Sequence, residues 1–550
     1  MKKLFLCALI LWLTFLSPNF YAWGDKGVFF KNTFFPLRVY YVKGKQPGPT
    51  LMIQGGIQGD ELTGVICATL LTRAKVKKGN LIIVPRANWP SLFLFKRQVN
   101  VDLNRRFDKH YATFYEDTLA KAIFYLVGLS DGLIHLHEGS GFYSPRYINS
   151  LRNPKRYGQS IIIDESKYGK IILEDIARSP LQEVNQNLQP KQFRFNLFNM
   201  RTFSNKTTYK EQRKSLTYNF LKHYVKPALA IEVSKQIQDK VWKTKYMLKI
   251  IQKLAARLGV TYELKGINVE QTVRNWFNEP YSYQIRSLSK FVKIITLTQP
   301  KFARLGVKLG KIDIDLNHQQ FVLFPGANLS AKIIADGHPI KTINFKTAKK
   351  PKTTNAFPVL VYNLNGKIKL AFPGETITAR EGQTLLIYGL WPNSKEVINI
   401  KGYAPKTNTN TGQDQLVPVY LRFKSFLSKY VQTNSTHWSF QIVRETPGTT
   451  KLSWQVKVNR FKKPPVLLLS SPSQRIVLPT KSKLTAGKYK IIPVGMTNLI
   501  FLLDKQPLPF YPQESFFLSP GQHVLRVFDN LTFDQLQLIQ LNVGETHAQP

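Results

Sequence analysis

Apolar positions change their rhythm once along this chain. From about Gly27 to Leu264, short runs rich in β-branched residues (RVYYVKG, TLMIQGG, GNLIIVPRAN, DGLIHLHEG, QSIIIDE and PALAIEVSK) are bounded by Gly, Pro or Asn and read as strands. Between them, ELTGVICATLLTRAK and TLAKAIFYLVG space their apolar residues as helices do, and so does YMLKIIQKLAARLG, which closes on a glycine. Alternation of strand and helix predicts an α/β domain. Beyond about residue 265 the helical spacing stops, and KIDIDL, QFVLF, AKIIAD, PVLVY, TLLIYGL and LSWQVKV recur with turn residues between them. That pattern predicts two or three small all-β barrels or sandwiches. The polar stretches AKKPKTTN (348–355) and PKTNTNTGQDQ (405–415) read as linkers or exposed loops, and no repeat of fixed period is visible. The expected division is 1–22, 23–265, 266–350, 351–430 and 431–550.

The first segment, MKKLFLCALILWLTFLSPNFYAWG, has two lysines, an apolar run, a turn-prone SPN and a small residue at Ala22, the order of a secretory signal. Its apolar run is short for crossing roughly 30 Å of hydrocarbon, and no later stretch is long and apolar enough to span. Cleavage after residue 22 leaves Cys67 as the one cysteine, since Cys7 lies in the signal. Export without an internal disulfide fits the periplasm of a Gram-negative envelope.

Charge sharpens this picture. The 78 Lys and Arg against 33 Asp and Glu give a formal +45, which calls for a polyanionic neighbour or a solvated basic surface. An export signal and the lack of RNP-like or zinc-finger spacing argue against nucleic acid and toward wall polymer or a membrane surface.

Four stretches of the α/β half place polar groups at the ends of apolar runs: GGIQGDE, VDLNRRF, LIHLHEGSGFY and ALAIEVSK. Ligands of α/β sheets bind where strands end, so the four can converge. Gln58 and Glu61 are three residues apart in a loop that leads into a helix, and His137 adds a third N/O donor from another strand end. Three protein ligands with a fourth position left for water is the composition of a catalytic zinc site. Glu232 supplies a separate carboxylate for general-base work, while Arg97 and Arg105 can hold an oxyanion and a substrate carboxylate. Taken singly each motif has a plain structural reading, a glycine turn, a charged loop or a buried ion-pair member; their order is what carries weight.

That order resembles the M14 zinc carboxypeptidase family: Q-x-x-E, then Arg followed by D-L-N-R, then His in L-H-E-G-x-G-F-Y, then Glu in A-I-E-V-S-K. More narrowly, the glutamine in the metal loop, HEGSGFY and EQRKSLTY (211–218) resemble the DL-carboxypeptidases that trim peptidoglycan stems in helical bacteria. The resemblance implies a mixed sheet with flanking helices. It also implies Zn²⁺ held by Gln58, Glu61 and His137, with Glu232 as general base and Arg97 as oxyanion stabiliser. Asn104 and Arg105 would bind the terminal carboxylate, and Asp102 would stand behind Gln58. The implied reaction removes meso-diaminopimelate from the muropeptide tripeptide to leave a dipeptide, with peptidoglycan as partner and the β-domains free for envelope proteins. A glutamine can imitate histidine there, its carbonyl facing the metal while its NH₂ donates to Asp102.

Two departures remain. His135 stands where the family keeps an acidic residue; either histidine can face the metal, and HEGSGFY registers better with His137. The tyrosine that many members place before the glutamate has two candidates, Tyr209 and Tyr218, and Thr217 and Lys235 flank the motifs. The rivals are an inactive muropeptide-binding protein and a wall-anchoring scaffold whose working part is the basic β-rich half. Retention of Glu232, Arg97 and Arg105 favours the enzyme, because a binding protein needs no general base.

Overall fold

The computed structural model describes residues 27–545 except 289–291, 310–311, 315–319, 325–327, 347–357, 393–395, 405–409, 411, 461–465, 472–474, 495–498, 505 and 508–515. The expected signal at 1–22, Cys7 and the linker at 348–355 lie outside the described residues, as does part of the loop at 405–415.

An eight-stranded mixed sheet organises the first half. Its strands are β1 (Tyr40–Lys43), β2 (Gln46–Gln54), β3 (Lys75–Val84), β4 (Gly132–Gly139), β5 (Ser160–Ile163), β6 (Asn196–Asn199), β7 (Ala228–Ser234) and β8 (Thr261–Glu263). They lie in the order β6-β5-β7-β4-β2-β3-β8, with β1 also pairing β3. The central strands β7, β4, β2 and β3 are mutually parallel, which sends all four C-terminal ends to one edge. β5 is antiparallel to β7, and β8 and β1 are antiparallel to β3, which makes the sheet mixed. Leu133, Ile134, His135 and Leu136 of β4 and Leu229, Ala230 and Ile231 of β7 are buried in succession, as strands covered on both faces require.

Helices flank the sheet in two groups. The first contains α1 (Leu62–Leu71), α4 (Leu173–Gln186) and α6 (Lys240–Arg257); the second contains α3 (Tyr115–Gly128) and α5 (Leu216–Tyr224). All ten residues of α1 are buried, so it is apolar on every side. α6 begins where Asp239 accepts from the N–H groups of Val241 and Trp242, at 2.8 and 3.0 Å. It stops at Gly259, whose φ of +82° suits the left-handed turn after a helix. A five-residue helix, α2 (Trp89–Phe93), follows β3.

Two helices escape the sequence reading. α4 carries an apolar stripe of Leu173, Ile176, Ala177, Leu181 and Val184, but its internal proline, Pro180, argues against a helix. α5 is short and mixes polar with apolar residues. A further helix, Val269–Arg274, continues past the point where helical spacing was expected to end.

After it the described chain is β-structure with two isolated 3₁₀ turns. Three pairs of sheets follow one another. The first pair, built from strands between Tyr283 and Lys346, shares one continuous core with the α/β half. The second encloses Leu360, Ile387, Trp438, Trp454 and Val458, and the third encloses Leu467, Leu469, Leu525 and Ile539. In the second pair Thr376–Arg380 lies parallel to Leu452–Asn459, so a boundary at 430/431 falls inside one sheet. No helix among the described residues is long and apolar enough to cross a membrane.

Candidate active site

Where β2, β3, β4 and β7 end, a cleft of about 330 Å³ opens, and Gln58, Glu61, Arg97, Asn104, Arg105, His137 and Glu232 all line it. Local structure brings each there for a separate reason. β2 ends at Gln54, and Gly55-Gly56 turns the chain with Gly56 at φ +65°, a conformation that suits glycine. Gln58 follows in this loop, and Glu61 sits immediately before α1. His137 and Glu232 are directly paired across the parallel strands β4 and β7, so they share one face of the sheet. Two residues beyond His137 on β4, Gly139 must lack a side chain, because a Cβ would overlap both the Gly158 backbone and the Glu232 carboxylate.

Asp102 lies just behind the cleft wall. Its carboxylate accepts Gln58 Nε2 at 3.2 Å on each oxygen and Arg97 Nη2 at 2.8 Å. It also caps the short 3₁₀ turn Leu103–Arg105 by accepting from the Asn104 N–H at 3.0 Å. That turn presents Asn104 and Arg105 to the cleft, and the Asn104 amide oxygen accepts from Leu216 N–H at 3.0 Å, which directs its NH₂ away from the α5 backbone.

The titrating groups interact closely. His137 Nδ1 lies 2.8 Å from Glu61 Oε2, and its Nε2 lies 3.3 Å from His135 Nδ1. Desolvation alone lowers His137, but the Glu61 and Glu232 carboxylates outweigh it and the net shift is upward. His135 is fully buried and pushed well down, first by desolvation and then by His137, so it stays neutral. Glu232 keeps a partly open face toward the cleft, yet desolvation pushes its carboxyl up to about 7, with His137 drawing it down and Glu61 raising it.

Among the described residues no three His, Cys, Asp or Glu side chains cluster as a metal site. Glu61 and His137 could hold a cation here with the Gln58 carbonyl as a third donor. The types fit zinc, which accepts imidazole nitrogen and oxygen ligands. The fit also has a structural basis, because the Gln58 NH₂ is turned to the Asp102 carboxylate, which leaves Oε1 to act as the donor atom.

Thr217 and Lys235 also line the cleft, with Lys235 Nζ 2.5 Å from Asp60 Oδ2. Neither Tyr209 nor Tyr218 does; they pack on Phe198 and Phe203 instead. Sequence reading missed Glu138, whose Oε1 accepts from Thr63 N–H at 2.6 Å and Thr63 Oγ1 at 2.5 Å, while Oε2 pairs with Lys243 Nζ at 2.7 Å. This buried network fixes the start of α1, two residues from Glu61. Its signal was present: Lys243 lies four residues before Met247 and seven before Ile250, on the apolar face of α6.

A cleft of this composition at the C-terminal edge of a mixed sheet defines a peptidase-like site. Residues 26–273 match the sequence pattern of a family described as "Carboxypeptidase controlling helical cell shape catalytic". Among solved structures, the tripeptide-bound cell shape determinant Csd4 from Helicobacter pylori is similar at 20% identity, covering 77% of this chain and 100% of that one with a TM-score of 0.46. The mDAP-bound form of the same protein, described as a D,L-carboxypeptidase, gives 21% identity, 75% and 96% coverage and a TM-score of 0.43. A succinylglutamate desuccinylase from a Silicibacter species gives 14% identity, 57% and 81% coverage and a TM-score of 0.30. No curated protein matches the chain.

Proposed function

We propose that the protein is a zinc-dependent DL-carboxypeptidase of the periplasm that releases meso-diaminopimelate from peptidoglycan tripeptide stems, leaving a dipeptide and so affecting cell shape. The observation that carries this reading is the convergence in one cleft of Gln58, Glu61, His137, Glu232, Arg97, Asn104 and Arg105. The family match over residues 26–273 supports the peptidase class and a cell-envelope setting.

Gln58, Glu61 and His137 would hold the zinc, which when bound polarises the scissile carbonyl and acidifies a water. Arg105 and the Asn104 amide hold the terminal carboxylate and thereby set which bond meets the reacting groups. Glu232, on the same sheet face as His137, takes the proton of the attacking water and returns it to the leaving amine. Its raised proton affinity suits both halves of that task, since a group near neutrality gives and receives a proton at modest cost. Arg97 is fixed at one end by Asp102 and turns its remaining N–H groups toward the developing oxyanion. The basic β-rich half fits a role in holding the enzyme to wall polymer or envelope proteins.

Purified Glu232→Ala should release no meso-diaminopimelate from muropeptide tripeptide while keeping the wild-type thermal transition. Comparable dipeptide production by wild type and variant would refute the role given to Glu232.

A further inference from the structure

The first β-region does more than follow the α/β half in sequence. Its hairpin joining Asn328–Ala335 to His338–Lys346 turns at Asp336-Gly337, with φ +41° and +85°, the geometry that favours Asp-Gly in a two-residue turn. A turn aspartate is ordinarily solvated, but Asp336 is fully buried. Its two oxygens grip Arg86 Nε and Nη2 at 2.7 Å each, and Trp276 Nε1 donates to Oδ2 at 3.0 Å. Arg86 Nη2 also donates to Phe302 O at 2.9 Å and Nη1 to Thr69 Oγ1 of α1 at 3.2 Å, so its guanidinium joins the β-region to the α/β half.

Arg86 begins the segment that ends at Arg97. That segment is hydrogen-bonded to the Gln58 loop along its length: Ala87 N–H to Gly55 O at 3.1 Å, Asn88 N–H to Gly56 O at 2.8 Å, and Gly59 N–H to Lys96 O at 3.0 Å. Ser91 Oγ bridges the same strip, accepting from Gly59 N–H at 3.2 Å and donating to Lys96 O at 2.5 Å. From the other side the β-region holds it again. The Arg304 guanidinium lies 4.3 Å from the Trp89 ring centroid, His338 meets Phe95 edge-on at 4.8 Å, and Gly306 is pressed against Phe93.

Resting on the proposed activity, we infer that Asp336 is a positioning residue of the site: through Arg86 it fixes segment 86–97, which carries Arg97 and backs the Gln58 loop. Asp336 touches no reacting atom. A bidentate, desolvated arginine–carboxylate pair is a directional joint, and breaking it leaves a buried charge that must move. The first pair of β-sheets is on this account part of the catalytic unit, and the wall-binding role falls to the two later pairs.

Asp336→Asn in the full chain tests this. Expected are a kcat at least tenfold lower with KM within threefold, and faster amide exchange in peptides covering 55–61 and 86–97. The double variant D336N/R97A should lose less than the product of the two single losses, because part of the Asp336 effect acts through that arginine. A folded D336N with wild-type kcat and unchanged exchange would overturn the inference, and so would a loss that multiplies with that of R97A. Should D336N not fold, His338→Ala removes the Phe95 contact without stranding a charge; a kcat loss of about threefold and local exchange gain are expected, and no change in either overturns the inference. If the wild type leaves the tripeptide uncut, the proposed activity fails, and the exchange measurement alone then decides whether Asp336 holds the segment.

Discussion

Gln58 donates its side-chain amide to both oxygens of Asp102, at 3.2 Å each, while Arg97 occupies one of those oxygens at 2.8 Å. One carboxylate therefore orients a candidate metal donor and a candidate oxyanion donor together. Gln58→His should bind zinc at least as tightly as wild type in a competition titration, because imidazole can donate one N–H to Asp102 and still offer the other nitrogen. Asp102→Asn should weaken binding by about 10–100-fold, the usual cost of losing an outer carboxylate. Weaker binding by the histidine variant would remove Gln58 from the ligand set.

Glu138, next to His137 on β4, forms a buried pair with Lys243, 2.7 Å apart. Lys243→Met strands Glu138 and should cost about 3–5 kcal/mol in urea unfolding. Glu138→Gln combined with Lys243→Met should recover most of that, since no unpaired charge remains and the amide oxygen can still accept from Thr63. A double variant as unstable as the single one would show that packing of the lysine stem, rather than charge pairing, is what matters.

The site was legible because its residues adjoin apolar runs that end at the same sheet edge; GGIQGDE, DLNRRF, HEGSGFY and AIEVS each mark such an end. What joins them was not. Asp336 is 250 positions from Arg86, and nothing local distinguishes its Asp-Gly turn from a solvated one. Strands of the β-rich half were visible one by one, while their partners were not: Thr376–Arg380 pairs with a strand more than seventy residues on, and period-two alternation says which face is buried but not against what. α4 hid because its apolar stripe, although regularly spaced, carries Pro180 in its middle, a residue that counts against a helix.

Cys67 offers a probe of opening in the α/β half. It is fully buried in α1, its Sγ directed at Thr244 O at 3.6 Å, and desolvation with the Glu138 charge pushes its thiol well up. A buried thiol held protonated is inert. Labelling by a thiol reagent should therefore proceed only through unfolding, and its rate should rise with urea in step with the loss of helical signal. Prompt labelling in native buffer would mean that α1 leaves the sheet locally.

Glu116 gives stability a pH dependence of predictable sign. It is fully buried near the start of α3 and accepts from Asn100 N–H at 2.9 Å, Asn100 Nδ2 at 3.1 Å and Val101 N–H at 3.4 Å, which pins the turn leading to Asp102. Desolvation raises its carboxyl to about 7 despite those bonds. A folded value above the unfolded one favours the fold fully below about pH 4.5, and that favour is lost as pH climbs through about 7. The difference corresponds to about 3 kcal/mol between the two limits. Asp164, raised to about 6 mainly by desolvation, adds in the same direction, so some slope persists without Glu116. Urea midpoints of the wild type should fall from pH 5 to pH 8, and those of Glu116→Gln should fall less over the same range. Parallel curves for the two proteins would mean that Glu116 is already ionised in the folded state at pH 5, its three donors outweighing burial.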